Sequence, residues 1–317
     1  MISLILHKGV VVHPDEITQT WKKVILGSDI DILGIHPVGG GGSHERVREL
    51  AENGFAGEAA ETVRELTSRG VGLEYELHVM SLLLPRGLYE SHPEYFRLDE
   101  NGVRSADYNC CASNKDALEI ISQNACELAK KLPSSTHRYC FWLDDVRDKC
   151  CRCPECSRLS ASDQALIVYN AVQRGVRRAD ILGRQSYLAY CGATELPSSV
   201  EPEDGIYLEY APFDRDFHKP MSCPENASSA RNARELAAFF GASDGKVLEY
   251  WLDNSMFSGW QKPPKKLNAD PELIKRDLEF YEALGFGTVT TFACYLGADY
   301  EELWGEPDLG GYAVFGK

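Results

Sequence analysis

The sequence lacks any apolar run of the roughly 18 residues that a membrane-spanning helix requires. The apolar stretch at the start of the chain is interrupted by His7 and Lys8 and has neither a basic leader nor a small-residue cleavage site, so it is not typical of a signal peptide. We therefore expect a cytoplasmic protein without a membrane partner. The cysteines, which number 11, are expected to be mostly reduced thiols.

Basic residues are also scarce. The chain has 33 Lys and Arg against 48 Asp and Glu, which gives a formal net charge of -15. No basic excess is present to replace counterions along a phosphate backbone, so a nucleic-acid partner is not expected. An anionic membrane surface is disfavoured for the same reason.

A nucleotide-binding glycine motif is missing as well. The four glycines of Gly39–Gly42 are not followed by the Lys-Ser/Thr of a phosphate loop, and we interpret them as a flexible loop. What the sequence does contain is a repeated alternation of short apolar strands with helical patterns, which favours a parallel sheet. The predicted strands are Ile2–His7, Asp31–His36, Gly72–Val79, His137–Asp145, Gln185–Cys191, Ile206–Ala211, Lys246–Asp253 and Thr288–Cys294.

Helices are predicted between these strands from apolar residues that recur every three or four positions. The clearest stripes begin at Leu118, Ala165 and Ile274, and Pro14 and Pro271 fit a first helical turn. Eight such units predict one (β/α)8 TIM barrel covering residues 1–317, with an open doubly wound sheet as the alternative. Long connections after the third and sixth strands, Ser81–Asn114 and Pro212–Asn226, are expected on the active face.

Titratable and aromatic residues collect at or near the predicted strand ends, which is where barrel enzymes place their active sites. Glu76 and His78 alternate onto one strand face, and aromatic rings with polar edges suit stacking on sugar rings. The predicted substrate-binding residues are His7, His36, Glu76, His78, Trp142, Tyr190, Glu209, Tyr210, Tyr250, Trp251, Asp253 and Asn254.

The strongest local signal is the pair Asp144–Asp145, which follows the apolar sequence Phe141-Trp142-Leu143. Adjacent carboxylates favour retention of a proton by one of them, and that proton can be given to a leaving group. Glycoside hydrolysis needs such an acid beside a second carboxylate. A helix cap or a salt bridge to Arg147 or Arg152 is the structural alternative.

A second motif is the cysteine cluster at 150–156. Cys151, Cys153 and Cys156 have a C-x-C-x-x-C spacing, and Cys110 or Cys111, from the loop after the third strand, would be close to them in a barrel. Cys111 is the preferred fourth ligand. Four such thiolates predict a structural zinc site, with oxidised or free thiols as the alternative. No cofactor is expected to be needed for catalysis.

The sequence resembles a bacterial family of glycosidase-like barrels described only as a domain of unknown function, from about Gly34 to Tyr312. The resemblance is carried by His92–Phe96, Cys111–Asn114, Asp145 followed by Cys151–Cys156, Tyr190 with Thr194 and Pro197, and Asp277–Phe292.

The Asp pair is also similar to that of the O-GlcNAcase and hyaluronidase-type hexosaminidases. Trp251-Leu252-Asp253-Asn254 resembles a sugar-binding stretch of those enzymes, although a later Asp is replaced by Ser258-Gly259-Trp260.

We therefore expect a glycoside hydrolase acting on a carbohydrate. In a hexosaminidase-like mechanism, Asp144 holds the 2-acetamido group of the substrate and Asp145 is the acid and then the base. Attack by Glu209 or Glu249 on a neutral sugar or uronide is an alternative. A second alternative is a metal-dependent hydrolase that uses His7, His36, His78 and Asp145. A third is a carbohydrate-binding barrel without catalytic activity.

Overall fold

The structure of the protein is a computed structural model that describes residues 6–316. Within this range the chain forms ten β-strands. They are β1 His7–Val12, β2 Ile30–Ile35, β3 Gly72–His78, β4 Arg97–Leu98, β5 Arg104–Ser105, β6 Arg138–Trp142, β7 Arg184–Ala189, β8 Ile206–Tyr210, β9 Lys246–Glu249 and β10 Thr288–Phe292.

Eight of these strands close into a barrel in the order β1-β10-β9-β8-β7-β6-β3-β2, while β4 and β5 form a separate antiparallel pair. β1 runs parallel to β2 and β10, and β6 runs parallel to β3 and β7. The predicted (β/α)8 fold is therefore confirmed, and the open doubly wound alternative is wrong.

The α-helices lie mainly in the connections between barrel strands. In residues 6–316 they are α1 Gln19–Gly27, α2 Ser43–Asn53, α3 Gly57–Ser68, α4 Met80–Leu83, α5 Lys115–Lys131, α6 Ala161–Ala179, α7 Ala227–Phe240, α8 Asn254–Phe257, α9 Pro271–Leu284 and α10 Ala298–Trp304. Short 3-10 helices occupy Pro14–Glu16, Arg86–Glu90, Pro93–Tyr95, Cys156–Arg158, Cys191–Ala193 and Pro224–Asn226. None of the helices in the described range is long and apolar enough to cross a membrane.

Seven of the predicted strands begin within one residue of their predicted start and end one to four residues earlier than predicted. The first prediction, Ile2–His7, is wrong in position: residues 2–5 lie outside the described range, and β1 begins at His7. A Cβ on Gly9 would lie 2.7 Å from Thr290 Cγ2 and 2.9 Å from Ile32 Cβ, so the close approach of neighbouring strands requires glycine there.

The described chain divides into two compact units. The first unit contains residues 6–38, Asn53–Glu74 and residues 209–316, and the second contains Gly39–Glu52 and Tyr75–Leu208. Asp144, Asp145 and the cysteine cluster all belong to the second unit.

In the second unit, α5 and α6 pack against each other at very short range. Asn114 caps the start of α5, and Ser160 forms a reciprocal capping box with Asp163 at the start of α6. Gly175 lies inside the last third of α6, where glycine is otherwise unfavourable. A Cβ on Gly175 would lie 2.1 Å from the Ser122 carbonyl oxygen, so its absence allows the two helices to touch.

We expect Gly175→Ala to lower the free energy of unfolding by about 1–3 kcal/mol, because overpacking outweighs the better helix propensity of alanine. Urea denaturation measures this change. Gly39→Ala is the matched control, since a Cβ on Gly39 meets nothing within 4 Å. Equal stability of both variants would contradict the close helix contact.

Candidate active site

The Asp144–Asp145 pair lies immediately beyond the end of β6. Phe141 and Trp142 are buried, and the strand ends at Trp142. The backbone N–H of Val146 then donates to the Asp144 carbonyl at 2.8 Å, so the chain turns at the pair. Because the pair lies in a turn, its side chains do not have to point to opposite faces as they would in a continuing strand.

Asp144 is held by two groups from the long segment that follows β3. Its Oδ2 accepts hydrogen bonds from Arg86 Nη2 and from the backbone N–H of Asn109, each at 2.5 Å. The backbone N–H of Asp144 donates in turn to Asn109 Oδ1 at 3.0 Å. Within residues 6–316 no hydrogen bond reaches Asp144 Oδ1, so this carboxylate is fixed in place and retains one accepting oxygen.

Asp145 has a different neighbour. It is exposed, and its Oδ1 accepts a hydrogen bond from the Tyr190 hydroxyl at 3.0 Å. Burial raises the pKa of Tyr190 well above its usual range, and the negative charge of the nearby Asp145 carboxylate raises it further. Tyr190 therefore remains a hydrogen-bond donor at neutral pH and orients Asp145.

An open pocket lies beside the pair and is lined by His78, Asn109, Asp144, Lys149 and Tyr190, among others. His78 Nδ1 lies 2.5 Å from the Leu143 carbonyl oxygen, and its ring contacts the edge of Trp142 at 5.1 Å between centroids. Asp145 does not line this pocket itself, but it is hydrogen-bonded to Tyr190, which does. The structure thus brings together five predicted residues: Asp144, Asp145, His78, Trp142 and Tyr190.

Other predicted carboxylates are buried and paired. In the first unit, Glu209 and Glu74 both lie against Lys246, with Nζ–O distances of 3.2 Å and 2.9 Å. Glu249 accepts hydrogen bonds from Arg215 at 2.6 Å and from the Tyr281 hydroxyl at 2.5 Å. Burial raises the pKa of Glu249. Glu209 and Glu249 are fully buried and have cationic partners, which argues against either of them as a nucleophile.

Four predicted substrate-binding residues of the first unit have structural contacts instead. The Tyr210 hydroxyl donates to the Ser229 carbonyl of α7 at 2.7 Å, and Trp251 Nε1 donates to Asp277 at 3.0 Å. Asp253 caps α8, and Asn254 Nδ2 donates to the Lys265 carbonyl at 2.9 Å. All four side chains are buried. These internal contacts do not bring the four side chains to the Asp144–Asp145 pair, and their role in sugar binding stays a prediction; a strand followed by polar residues also describes helix caps and buried hydrogen bonds.

Four further predicted residues, His7, His36, Tyr250 and Glu76, lie elsewhere in the described chain. His7 lies at the amino end of β1, exposed and 2.6 Å from Asp31, so its predicted position at a carboxyl end is wrong. His36 follows β2, and its ring meets the edge of Phe292, on which Tyr250 stacks at 5.4 Å. Glu76 is fully buried in β3.

Sequence reasoning missed Arg86 and Asn109, although both lie in the segment predicted to be functional. It also missed Glu16 in the first unit, which lies beside His13 and Cys294. Burial raises the pKa of Glu16 to about 7, although Lys262 partly opposes this shift. Only the contacts in the folded chain distinguish these residues from other polar loop residues.

The predicted cysteine cluster is assembled in the second unit. The sulfurs of Cys111, Cys151, Cys153 and Cys156 all lie within 4.8 Å of one another, and all four side chains are buried.

A family model described as Domain of unknown function (DUF4838) matches residues 52–289, which is about three quarters of the chain. The chain belongs to the DUF4838 family. A search of curated proteins found no match to this DUF4838 sequence.

Solved structures of similar fold include two enzymes. The DUF4838 chain is similar to a cold-adapted β-galactosidase from Rahnella sp. R3, with a TM-score of 0.51 and 12% identity over 92% of this chain. It covers 50% of that enzyme, and thus about half of its length. It is also similar to endo-glycoceramidase II from Rhodococcus sp., with a TM-score of 0.50 and 9% identity over 91% of this chain and 73% of that enzyme. At these identities the likeness shows a shared barrel fold.

In the DUF4838 chain we expect Arg86→Met to lower the free energy of unfolding by about 1–3 kcal/mol, because Asp144 then loses a charged donor in a partly buried position. Urea denaturation measures the loss. Arg86→Lys keeps the charge and should lose less, and adding Asp144→Asn to Arg86→Met should cost less than the sum of the two single changes. Additive effects would contradict a direct ion pair.

Proposed function

We propose that this chain is a glycoside hydrolase that acts on 2-acetamido sugars with the help of the substrate's own acetamido group. The observation that carries the proposal is the Asp144–Asp145 turn. One carboxylate is fixed by Arg86 and Asn109 and keeps Oδ1 available, while its neighbour is exposed and oriented by Tyr190.

The proposed first step needs no nucleophile from the protein. Asp145 donates a proton to the glycosidic oxygen while the acetamido carbonyl oxygen attacks the anomeric carbon, so the bond to the leaving group breaks as the new C–O bond forms. Asp144 Oδ1 accepts a hydrogen bond from the acetamido N–H and stabilises the positive charge that develops on that group. Asp145, now ionised, then removes a proton from water as the water opens the cyclic intermediate.

The paired state of Glu209 and Glu249 supports this choice over direct attack on a neutral sugar or uronide. Using Glu209 or Glu249 as a nucleophile would break a buried ion pair, which costs several kcal/mol. The metal-dependent alternative is weakened because His7, one of its four ligands, lies at the amino end of its strand.

The similarities to known proteins support the assignment to glycoside hydrolases more than they support a 2-acetamido sugar as the substrate. The two solved structures of similar fold are named as a β-galactosidase and an endo-glycoceramidase. The Asp pair remains similar to that of the O-GlcNAcase and hyaluronidase-type hexosaminidases, whereas the Asp253-Asn254 part of that resemblance is used here as a helix cap and a buried amide. The acetamido proposal therefore depends on the Asp144–Asp145 turn.

We expect Asp145→Asn to lower kcat/KM on phenyl glycosides by about two to four powers of ten, the usual contribution of a general acid. Dinitrophenyl glycosides should be affected less, since their leaving groups need little protonation. Steady-state kinetics on both substrates measures this. Asp204→Asn, which changes an exposed carboxylate paired with Arg177, is the control and should leave both rates unchanged. Unchanged rates in Asp145→Asn would remove Asp145 from the mechanism.

The second expectation concerns the sugar. Aryl 2-acetamido-2-deoxy glycosides should be cleaved, while the matching 2-hydroxy glycosides and uronides should not, because only the former contain the internal nucleophile. Release of the aryl alcohol measures cleavage. Cleavage of the 2-hydroxy or uronide compounds alone would disprove the acetamido mechanism, and binding of sugars without any cleavage would favour a non-catalytic barrel.

A further inference from the structure

We propose that Cys111, Cys151, Cys153 and Cys156 form a structural zinc site that joins the segment before α5 to the loop between β6 and α6. Cys111 Sγ lies 3.7 Å from Cys153 Sγ and 4.0 Å from Cys156 Sγ. Four sulfurs at about 2.3 Å from a tetrahedral zinc ion lie about 3.8 Å apart. A disulfide requires about 2.05 Å, so the spacing of the thiols fits a shared metal ion better than a bond between two of them.

The surroundings of the cluster suit a negatively charged metal–thiolate centre. All four cysteines are between 0% and 3% exposed. The backbone N–H of Leu98 donates to Cys151 Sγ at 3.3 Å, and Arg104 Nη1 lies 3.8 Å from the same sulfur. Such donors and cations in the outer shell stabilise the excess charge of four thiolates around Zn²⁺.

The loop that supplies three of the ligands is anchored independently. Gln164, a buried residue of α6, accepts from the Cys151 N–H at 3.0 Å. Its Nε2 donates to the carbonyls of Cys151 and Cys156 at 3.2 Å and 3.0 Å. The hydrogen bonds from Gln164 therefore hold the C-x-C-x-x-C backbone in a fixed conformation without help from a metal ion.

The position of the site suggests what the metal does. Asn109, which binds both the carboxylate and the backbone of Asp144, is two residues before Cys111. A zinc ion bound to Cys111 would fix this segment against the loop after β6 and so keep Asn109 in place as a positioning residue. This consequence for catalysis rests on the proposed function, whereas the assignment of the metal does not.

The assignment is tested by elemental analysis of the full chain purified without chelator. We expect about one zinc per chain in the wild type and loss of that zinc in Cys153→Ser. Cys150→Ser is the matched control and should retain the metal, because Cys150 is adjacent in sequence but outside the cluster. A wild-type chain without metal, with iron in place of zinc, or with disulfides among these four cysteines would overturn the proposal.

A second measurement remains informative if Cys153→Ser fails to fold. The wild-type chain is exchanged into Co²⁺, and we expect the thiolate charge-transfer absorption and the strong visible bands of a tetrahedral tetrathiolate site. Weak visible absorption without charge-transfer bands would overturn the site. Neither measurement involves a substrate, so an inactive chain containing one zinc would reject the hydrolase proposal alone, and an active chain without zinc would reject this one alone.

Discussion

The need to neutralise buried charge determines which carboxylates of this barrel remain available for chemistry. Lys246 and Arg215 are almost fully buried, and an unpaired charge in such a position is prohibitively unfavourable. Lys246 is therefore paired with Glu74 and Glu209, and Arg215 with Glu249 and Asp277. These acids stabilise the cations of the first unit. Asp144 and Asp145 differ because they follow the end of a strand, where one of them still reaches solvent.

The loops of the second unit turn that position into an organised site. The segment after β3 provides Arg86 and Asn109, which hold Asp144, and the turn after β7 provides Tyr190, which orients Asp145. In the proposed reaction, preorganised groups of this kind would favour a charged transition state because they need not reorient.

Features that depend on neighbouring residues in the sequence could be predicted, whereas features that depend on distant residues could not. Hydrophobic alternation marks strands such as β6 and β8 because each buried strand needs apolar side chains, and those predictions were confirmed. The strand ends were less predictable: Asp145 and Asp253 both follow an apolar strand, yet Asp145 is exposed beside Tyr190 and Asp253 caps α8. Asp145 and Asp253 differ in the residues that pack around them, and these residues cannot be identified from the adjacent sequence.

The sequence by itself determined the (β/α)8 fold, the Asp144–Asp145 pair and the gathering of Cys111 with the C-x-C-x-x-C motif, since these follow from periodicity, residue chemistry and the order of elements. The tertiary structure alone decided that β1 begins at His7, that Arg86 and Asn109 hold Asp144, and that Glu209, Glu249, Tyr210 and Trp251 have internal partners. The physical reason is that hydrogen bonds and ion pairs form between residues distant in sequence. Which polar groups meet is fixed only when the strands and helices have packed.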